Sequence, residues 1–337
     1  MRTPVSVGIV GLGAWGPRLV RVFGELAAAD VRWVCDLSLA AASRVAQTTR
    51  RARPCTDVEV LLADETLDAV VLATPPSTHY ALARRAVEAG KHVFVEAPLA
   101  LEGEQADELV RLAEWRGRRL VTGHVLLFHP AVAALEASLA KGELGDVYYL
   151  WSQRLGPARS RRDGSVLWDL AAHDVSLASH LLGDEPVEVA AHGDAFAQPG
   201  VTDAVTATLT FATGIKAHLH LSRLEATPTR RFAVVGSRRT AVFDDVEVER
   251  KLTLYDRDPG GAVVSPRLAA EEPLRRECEA FLQAVRAPGA ADPGAREAAA
   301  VVSALEALQR SLDRDGAAQQ VGDSTLAPGV VRLPVRT

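Results

Sequence analysis

The sequence predicts an α/β protein of two domains: an N-terminal domain with a doubly wound parallel sheet and a C-terminal α+β domain with a large open antiparallel sheet. Three observations support this prediction. A chain of 337 residues exceeds the length at which a single core usually stops growing. Its first third alternates short apolar runs with longer segments rich in alanine, leucine and arginine, as βαβ units do. Its later part alternates β-forming and polar residues around Thr-Gly and Gly-Ser turns, which is typical of antiparallel strands.

The elements of the first domain, residues 1–122, follow from two kinds of pattern. Short apolar runs predict parallel strands, because such a sheet is buried on both faces. The longer segments between them carry apolar residues at helical spacing. In order, the predicted strands are Val5–Val10, Val31–Cys35, Ala69–Leu72, His92–Val95 and Arg119–Thr122, and the predicted helices are Trp15–Ala28, Ser38–Thr48, Asp57–Leu62, Thr78–Ala89 and Gly103–Trp115.

The pattern changes after Gly123, so the second domain is predicted to comprise residues 123–337. Its sheet can cover helices on one face, and we expect a second copy of the chain to cover the other face, giving a homodimer or homotetramer. The predicted elements are the helices Pro130–Lys141, Trp168–Leu182, Pro273–Val285 and Arg296–Leu312, the strand Asp146–Arg154, and antiparallel strands between Val187 and Tyr255.

Charge and cysteine content exclude several classes of protein. The formal net charge is −5 with histidine neutral, and the sequence has no long basic run, so we expect a small-molecule partner and no nucleic acid. Its 3 cysteines lack the spacing of metal ligands, which favours neither a disulfide framework nor a metal site. The sequence shows no secretory signal pattern and no apolar stretch of about 18 residues. We therefore expect a cytoplasmic protein without a membrane partner.

A glycine-rich turn, GLGAWG, follows the first strand and leads into the first helix. Gly11 permits a tight turn, Gly13 lets the backbone approach a pyrophosphate, and Gly16 lets helix and strand pack closely. Ala14 and Trp15 complete the turn, and the helix after them presents N–H groups to anionic phosphates. The strand before this motif and the helix after it indicate a Rossmann dinucleotide site.

Asp36 ends the second strand, twenty residues beyond Gly16. A carboxylate at this place can accept hydrogen bonds from both ribose hydroxyls of an adenosine, and it repels a 2′-phosphate. The sequence therefore predicts NAD(H) in preference to NADP(H). The simpler interpretation is a glycine turn that only packs and an aspartate that only caps a helix.

The segment ATPPSTH follows the third predicted strand and so lies at the carboxyl edge of the sheet, where ligands of open α/β sheets bind. Pro75 and Pro76 fix an extended turn. We place Thr74, both prolines and His79 at the cofactor. For His79, a solvent-facing position is the alternative.

The chain resembles the Gfo/Idh/MocA oxidoreductases over nearly its whole length. The matching segments are GLGAWG, the strand-end Asp36, ATPPSTH, GKHVFVEAPLA, GHVLLFHPAV and LWDLAAHDVSLASHLLG. The last two are similar to the subgroup that acts on nucleotide-activated sugars, which includes UDP-N-acetylglucosamine-type 3-dehydrogenases and sugar ketoreductases. The resemblance implies an NAD(P)-dependent oxidoreductase acting on CH–OH groups, with a nucleotide-linked sugar as its partner.

The strand His92–Val95 runs into Glu96-Ala97-Pro98, where family members commonly carry Glu-Lys-Pro. The resemblance implies that Glu96 and Ala97 lie at the cofactor and that the family lysine donates a hydrogen bond to the reacting oxygen. Lys91 does not replace it, because six extended residues put it roughly 20 Å from the carboxyl edge. Loss of a positioned proton donor costs about 10²- to 10⁴-fold in rate. Either other groups compensate, or the reaction is an easier one.

His173 follows Asp169 by four residues in a predicted helix, so both lie on one face. A carboxylate one turn away can orient an imidazole and stabilise its charged form. Our hypothesis makes His173 the acid/base that takes a proton from a substrate hydroxyl in oxidation, or returns it in reduction. Asp169 is its partner, and Asp174 is a possible helper at the substrate. The simpler interpretation is a helix-interior histidine satisfied by a neighbour.

Further polar residues are candidates for substrate binding. His124 and His129, in GHVLLFHP, follow a predicted strand end and can face the cleft. Arg154, Arg161 and Arg162 lie between a strand and the next helix, where guanidinium groups can bind a diphosphate or carboxylate. A solvated run of charges is the alternative interpretation for the arginines.

Three functions fit these residues. The first is NAD(H)-dependent hydride transfer to or from a secondary alcohol or ketone of a nucleotide-linked sugar, which His173 and the arginines favour. The second is reduction of an imine or another reactive double bond in secondary metabolism, which Ala97 favours. The third is a cofactor-binding sensor without catalysis, which Ala97 motivates and the retained Asp169 and His173 oppose.

Overall fold

The computed structural model describes residues 3–49, 51–157, 165–287 and 294–322, and the chain divides into two compact units. The first unit runs to Val125 and resumes over Glu271–Val302; the second comprises Leu126–Ala270 and resumes at Ser303. The expected division at residues 122 and 123 did not include this return of the chain to the first unit.

Aromatic packing explains why the late segment belongs to the first unit. The ring of Phe281 meets Phe23 edge to face, with centroids 6.3 Å apart, and meets Phe94 in the same way at 5.7 Å. All three side chains are fully buried. An amphipathic pattern predicts that a helix packs, but it does not predict which sheet the helix packs against.

The first unit is built on a six-stranded parallel sheet with the order β3-β2-β1-β4-β5-β6, so the predicted doubly wound sheet is confirmed. Strand order reverses between β1 and β4, which is where dinucleotides bind in such folds. The strands are β1 Val5–Val10, β2 Ala29–Cys35, β3 Arg53–Cys55, β4 Ala69–Leu72, β5 His92–Glu96 and β6 Leu120–Gly123, and the helices are α1 Gly16–Glu25, α2 Leu39–Ala46, α3 Val58–Leu62, α4 His79–Glu88, α5 Gly103–Arg116 and α8 Pro273–Arg286.

One strand of this sheet was not predicted. Arg53–Cys55 is only three residues long and contains Pro54, so it shows neither an apolar run nor an alternation. Pro54 is tolerated because this strand forms the edge of the sheet, where one side needs no ladder hydrogen bond.

Apolar cores cover both faces of the parallel sheet. Val93 and Val95 point into one cluster, while Phe94 between them points into the other. The alternation follows from the two-residue repeat of a strand. The side of the sheet that carries Phe94 also holds α1 and α8.

The second unit is built on a nine-stranded sheet with the order β14-β13-β12-β11-β7-β10-β9-β8-β15. The pair β7 and β10 is parallel and the other pairs are antiparallel, so the predicted open sheet is confirmed as mixed and mostly antiparallel. The strands are β7 Val147–Leu155, β8 Pro186–Asp194, β9 Ala204–Phe211, β10 Lys216–Ser222, β11 Thr229–Gly236, β12 Arg239–Asp244, β13 Leu252–Asp256, β14 Val263–Val264 and β15 Gln319–Gln320, and the helices are α6 Pro130–Ala140 and α7 Val166–Leu182, with α9 Ala295–Leu312 passing from the first unit into this one.

Helix α7 packs on one face of this sheet, over the central strands β7, β9 and β10. On β10, Leu219 and Leu221 are buried on that side, while His218 and His220 point to the other side. Within the described residues, no helix is both long and apolar enough to cross a bilayer, and no group of three or more His, Cys, Asp or Glu side chains could hold a metal ion.

Candidate active site

The glycine turn after β1 is closed by backbone contacts and leaves open space at its exposed tip. Gly11 has φ +88°, and a Cβ atom on it would lie 2.6 Å from the carbonyl oxygen of Ala73. A Cβ on Gly16 would overlap the carbonyl oxygen of Gly11. A Cβ on Gly13 would meet nothing within 4 Å, so the space beside the exposed Gly13 and Ala14 is free. The turn thus has the shape that lets a pyrophosphate approach the backbone.

The N-terminus of α1 is open to an anion. Its N-cap residue, Trp15, offers no side-chain hydrogen bond, and the first turn of α1 contains no acidic residue. The Arg18 guanidinium lies 5.0 Å from the centre of the Trp15 ring. First-turn N–H groups, the helix dipole and a nearby cation all favour negative charge, so these residues fit the diphosphate of a dinucleotide.

Asp36 is tied to the glycine turn through its carboxylate. One oxygen accepts a hydrogen bond from the Leu12 N–H at 2.8 Å, and the other accepts one from the Ser38 N–H at 2.9 Å. The side chain stays partly exposed. Leu37 beside it is 96% exposed, so an apolar side chain with no positive charge stands next to the carboxylate.

His79 joins the loop after β4 to the loop after β5. Its Nδ1 lies 2.7 Å from the carbonyl oxygen of Pro98, and its Nε2 lies 2.9 Å from that of Thr74. The side chain is 1% exposed, and burial lowers its pKa against the opposing effect of the two carbonyl contacts. The solvent-facing alternative is therefore wrong, and neither ring nitrogen is left for a cofactor contact. Thr74, Pro75 and Pro76 keep exposed surface at the sheet edge.

Strand β5 ends at Glu96, and the chain turns there through the cis peptide bond between Ala97 and Pro98. Ala97 is partly exposed at this edge. Lys91 precedes the strand at the opposite edge, where its Nζ donates hydrogen bonds to the carbonyl oxygens of Asp64 at 2.7 Å and Leu67 at 3.0 Å. Lys91 is thus held away from the position of Ala97, as its place in the sequence predicts.

His124 directly follows β6 and lies in the first unit. The side chain is 6% exposed, and burial lowers its pKa to about 4. The imidazole is therefore neutral near pH 7. Its role in substrate binding stays a prediction.

Helix α7 is fixed to its own sheet by two ion pairs. Asp169 accepts a hydrogen bond from Arg223 Nη2 at 2.9 Å, and Asp174 accepts one from Arg154 Nε at 2.8 Å. Asp169 and His173 keep exposed surface, whereas Asp174 is 1% exposed. The helix therefore presents His173 from a fixed scaffold.

Arg223 is a candidate that sequence reasoning missed. It follows β10, which runs parallel to β7 and places Leu221 opposite Arg154. The two arginines therefore emerge at the same end of neighbouring strands, each facing one carboxylate of α7. The available signal was a single arginine directly after the alternating strand KAHLHLS.

The predicted substrate ligands Arg154 and Asp174 are paired with each other. Burial raises the pKa of Asp174, while the charge and hydrogen bond of Arg154 oppose this shift. Arg154 is 9% exposed, so its guanidinium mainly compensates a buried carboxylate, and a direct ligand contact stays a prediction for both residues. Arg161 and Arg162 lie outside the described residues.

His129 is the N-cap of α6. Its Nδ1 accepts a hydrogen bond from the Ala131 N–H at 3.0 Å, and its ring lies 4.8 Å from that of Phe243. Burial lowers its pKa, and Asp245, with an oxygen 4.0 Å from Nε2, raises it. These contacts give His129 a structural role in beginning the helix; its contact with substrate stays a prediction.

Two protein-family models match the chain. Residues 5–124 match an oxidoreductase family with an NAD-binding Rossmann fold, and residues 132–242 match the GFO/IDH/MocA C-terminal domain. A UDP-N-acetylglucosamine 3-dehydrogenase of Acidithiobacillus ferrooxidans is 34% identical over 292 residues, which cover 84% of this chain and 89% of that protein. The chain belongs to the Gfo/Idh/MocA oxidoreductase family. The resemblance seen in its motifs is thereby confirmed.

Solved structures agree with this assignment. A structure of the Acidithiobacillus ferrooxidans dehydrogenase has a TM-score of 0.82 at 31% identity, covering 93% of this chain and 99% of that one. The protein GenD2 from gentamicin A biosynthesis, solved with NAD, has a TM-score of 0.83 at 26% identity, covering 96% of this chain and 97% of that one. A 3-ketoreductase from Actinomadura kijaniata, solved with TDP-benzene and NADP, shares the fold with a TM-score of 0.84 at 22% identity, covering 92% and 98%. One of these structural neighbours was solved with NAD and another with NADP, so the similarity does not distinguish the two cofactors.

Proposed function

We propose that this family member transfers hydride between NAD(H) and a secondary alcohol or ketone of a nucleotide-linked sugar, with His173 as the acid/base. The observation that carries the proposal is the geometry of α7, where a partly exposed His173 and Asp169 stand on a helix held by two ion pairs. A relative named as a UDP-N-acetylglucosamine 3-dehydrogenase, matched over most of both chains, supports the substrate class.

In this proposal the nicotinamide, when bound, accepts or supplies the hydride. His173 takes the hydroxyl proton in oxidation and returns it in reduction, so it must change its charge in each turnover. Asp169 stabilises the protonated imidazole, and Arg223 holds the Asp169 carboxylate in place. Asp174 stays bound to Arg154, so this pair keeps the helix seated.

The preference for NAD(H) rests on two neighbouring side chains. The Asp36 carboxylate repels a 2′-phosphate and can accept hydrogen bonds from ribose hydroxyls. Leu37 offers no positive charge that would bind a 2′-phosphate. Both features oppose NADP(H).

Ala97 supports a second candidate function, reduction of an imine or another reactive double bond. At this position the side chain offers no proton donor, and Lys91 is held at the other edge of the sheet. A substrate that accepts hydride easily needs less help from a positioned acid. Ala97 also motivates the sensor hypothesis, but the retained Asp169 and His173 oppose it.

We also propose that the open face of the nine-stranded sheet pairs with a second copy. Trp151, His218 and His220 are partly or fully exposed on this face. Light scattering with size-exclusion chromatography tests this proposal: the wild-type chain should be at least a dimer, and Trp151→Arg should shift it to the monomer. A monomeric wild type would contradict it.

Absorbance at the nicotinamide band tests the catalytic proposal. The chain is mixed with NAD⁺ or NADH and a panel of UDP- and dTDP-linked sugars and their 3-keto forms, and in parallel with cyclic imines. Turnover of a nucleotide-linked sugar supports the first function, and turnover of imines alone would replace it with the second. Tight cofactor binding without any turnover in either panel would favour the sensor.

A further inference from the structure

A carboxyl group on α8 is buried without a hydrogen-bond partner among the described residues. Glu277 is 1% exposed, and both of its carboxyl oxygens are shielded from solvent and unbonded. An ionised carboxylate in such a place would lose its hydration without compensation, which costs several kcal/mol. Burial, and then the charge of Glu96, raise the pKa of Glu277 well above its ordinary value. Glu277 is therefore a neutral carboxylic acid near pH 7.

Glu96 stands between this buried acid and the edge of the sheet. A Cβ on Gly123 would lie 3.0 Å from Glu96 Oε2 and 3.1 Å from Phe94 Cζ, so the Glu96 carboxyl group crosses over Gly123 on the side that carries α8. The residue is partly exposed, and it is the last of β5. Burial raises the pKa of Glu96 to about 7, while a hydrogen bond from the Ala97 N–H opposes this shift.

The titratable groups on the surrounding elements do not supply a charge that would fix the state of Glu96. On α8, burial raises the pKa of the Cys278 thiol, which is uncharged near pH 7. After β6, His124 is neutral because burial lowers its pKa to about 4. On α1, Arg21 is paired with Glu25 and Glu272. Glu96 itself is thus the group in this cluster whose charge changes near neutral pH.

The position of Glu96 in the sheet connects it to the cofactor. In a sheet of this order each half of the strands takes one half of a dinucleotide, and the strand bearing Asp36 belongs to the adenosine half. Strands β4, β5 and β6 form the other half, whose carboxyl edge takes the nicotinamide. The nicotinamide ring is cationic when oxidised and neutral when reduced. A carboxylate at the end of β5 therefore attracts the cationic, oxidised ring and has little effect on the neutral, reduced ring.

We propose that the charge of Glu96 sets which redox form of the cofactor the chain binds more tightly. When Glu96 is ionised it favours NAD⁺, and when it is protonated this preference is lost. The inference rests on the dinucleotide site of the proposed function, and it needs no particular substrate. Glu277 contributes by remaining neutral behind Glu96, so that a single proton decides the local charge. The family lysine would add a fixed positive charge next to Glu96; Ala97 leaves the carboxyl group to act without it.

The direction of the effect follows from the charges. As pH rises through about 7, Glu96 becomes negative and attracts the oxidised ring, while the neutral reduced ring is little affected. The ratio of the Kd of NADH to the Kd of NAD⁺ should therefore rise with pH. We expect a rise of roughly tenfold between about pH 6 and pH 8, since a unit charge near a partly shielded edge changes ion binding by about this factor.

Calorimetric or fluorescence titrations of the full chain with NAD⁺ and NADH across this pH range test the proposal. Glu96→Gln should remove the pH dependence of the ratio. Glu277→Gln, the matched control, should keep it, because glutamine resembles a neutral glutamic acid. A flat ratio in the wild type, or an unchanged slope in Glu96→Gln, would overturn the proposal. Failure of every sugar to turn over would defeat the proposed function and leave this result standing, whereas binding of neither cofactor form would overturn both.

Infrared spectroscopy of the cofactor-free chain supplies an independent readout. The C=O band of protonated carboxyl groups should lose one component as pH rises through about 7 and keep another. Glu96→Gln should lack the component that titrates, and Glu277→Gln should lack the one that persists. If both variants retain the titrating component, another group carries the proton and the assignment to Glu96 is wrong.

Discussion

Arg223 donates a hydrogen bond of 2.9 Å to Asp169, the carboxylate that lies one helical turn before His173. The side chain of Arg223 is 3% exposed and that of Asp169 is 26% exposed, so the pair spans from the interior of the second unit to its surface. The hydrogen bond of Asp169 therefore has two effects in our proposal: it anchors α7, and it limits how strongly the carboxylate attracts a proton to His173.

Replacing Arg223 by methionine should lower kcat about tenfold and move the rising limb of the kcat profile for alcohol oxidation to higher pH. The variant removes the cation that is paired with Asp169, so we expect the Asp169 carboxylate to stabilise the imidazolium of His173 more strongly. The measurement is the pH dependence of kcat with the substrate found in the activity panel. Arg223→Lys, which keeps the charge, should restore the position of the limb. If Arg223 had only a structural role, Arg223→Met would lower kcat at every pH and would not move the rising limb of the profile.

His173→Asn should reduce kcat by about 10²- to 10⁴-fold, because the variant removes the proposed acid/base. NADH binding should be unchanged. His180→Asn is the matched control on the same helix, since the His180 side chain is 39% exposed and pairs with Glu136 at 2.6 Å. The measurement is steady-state turnover combined with NADH titration. Equal activity of the His173 variant and its control would remove His173 from the mechanism.

Arg154→Met should destabilise the second unit by about 3–5 kcal/mol, because it leaves Asp174 buried without its cation. Adding Asp174→Leu should recover most of this loss, since a well-packed apolar pair replaces the ions. Chemical denaturation, followed by circular dichroism, measures both values. If the double variant is no more stable than Arg154→Met alone, the loss of stability does not come from the unpaired charge of Asp174, and this prediction is wrong.

The cost of Arg154→Met should depend on pH. Burial already raises the folded-state pKa of Asp174, and loss of Arg154 raises it further. The folded variant then holds a proton that the unfolded chain releases above about pH 4, so its stability falls as pH rises from there. Denaturation at about pH 4.5 and pH 8 should show the smaller deficit at the lower pH.

Asp36→Ser combined with Leu37→Arg should shift the preference from NAD(H) towards NADP(H). The first change removes the repulsion of a 2′-phosphate, and the second adds a cation beside it. We expect the NADH Kd to rise about tenfold and the NADPH Kd to fall by at least as much. Asp57→Ser, which removes the carboxylate of the exposed N-cap residue of α3, should alter neither. A wild type that binds both cofactors equally would contradict the role of Asp36.

Sequence reasoning predicted features set by neighbours in the chain. Gly11 requires positive φ and Gly16 a close approach, and both requirements are visible in the spacing of one motif. The parallel strands were predicted because their burial on both faces makes them continuously apolar. Arg53–Cys55 was missed because a short edge strand with a proline has no such pattern.

The rest depends on contacts between distant parts of the chain. Nothing in the sequence near Arg154 indicates that its partner is Asp174. Arg223 can be recognised as a candidate site residue only once β10 is known to lie beside β7. His79 is a similar case. Its motif places it near the sheet edge, but only the fold shows that two backbone carbonyls enclose its ring.

Phe281 reaches the core of the first unit from the late segment Glu271–Val302. During synthesis on a ribosome, the parallel sheet therefore emerges with part of its apolar face uncovered, and residues Leu126–Ala270 of the second unit must follow before α8 arrives to cover it. We expect the nascent sheet to depend on chaperones during this interval. Premature termination before residue 271 would leave Phe23 and Phe94 exposed to aggregation, even though every residue of the glycine turn had already been made.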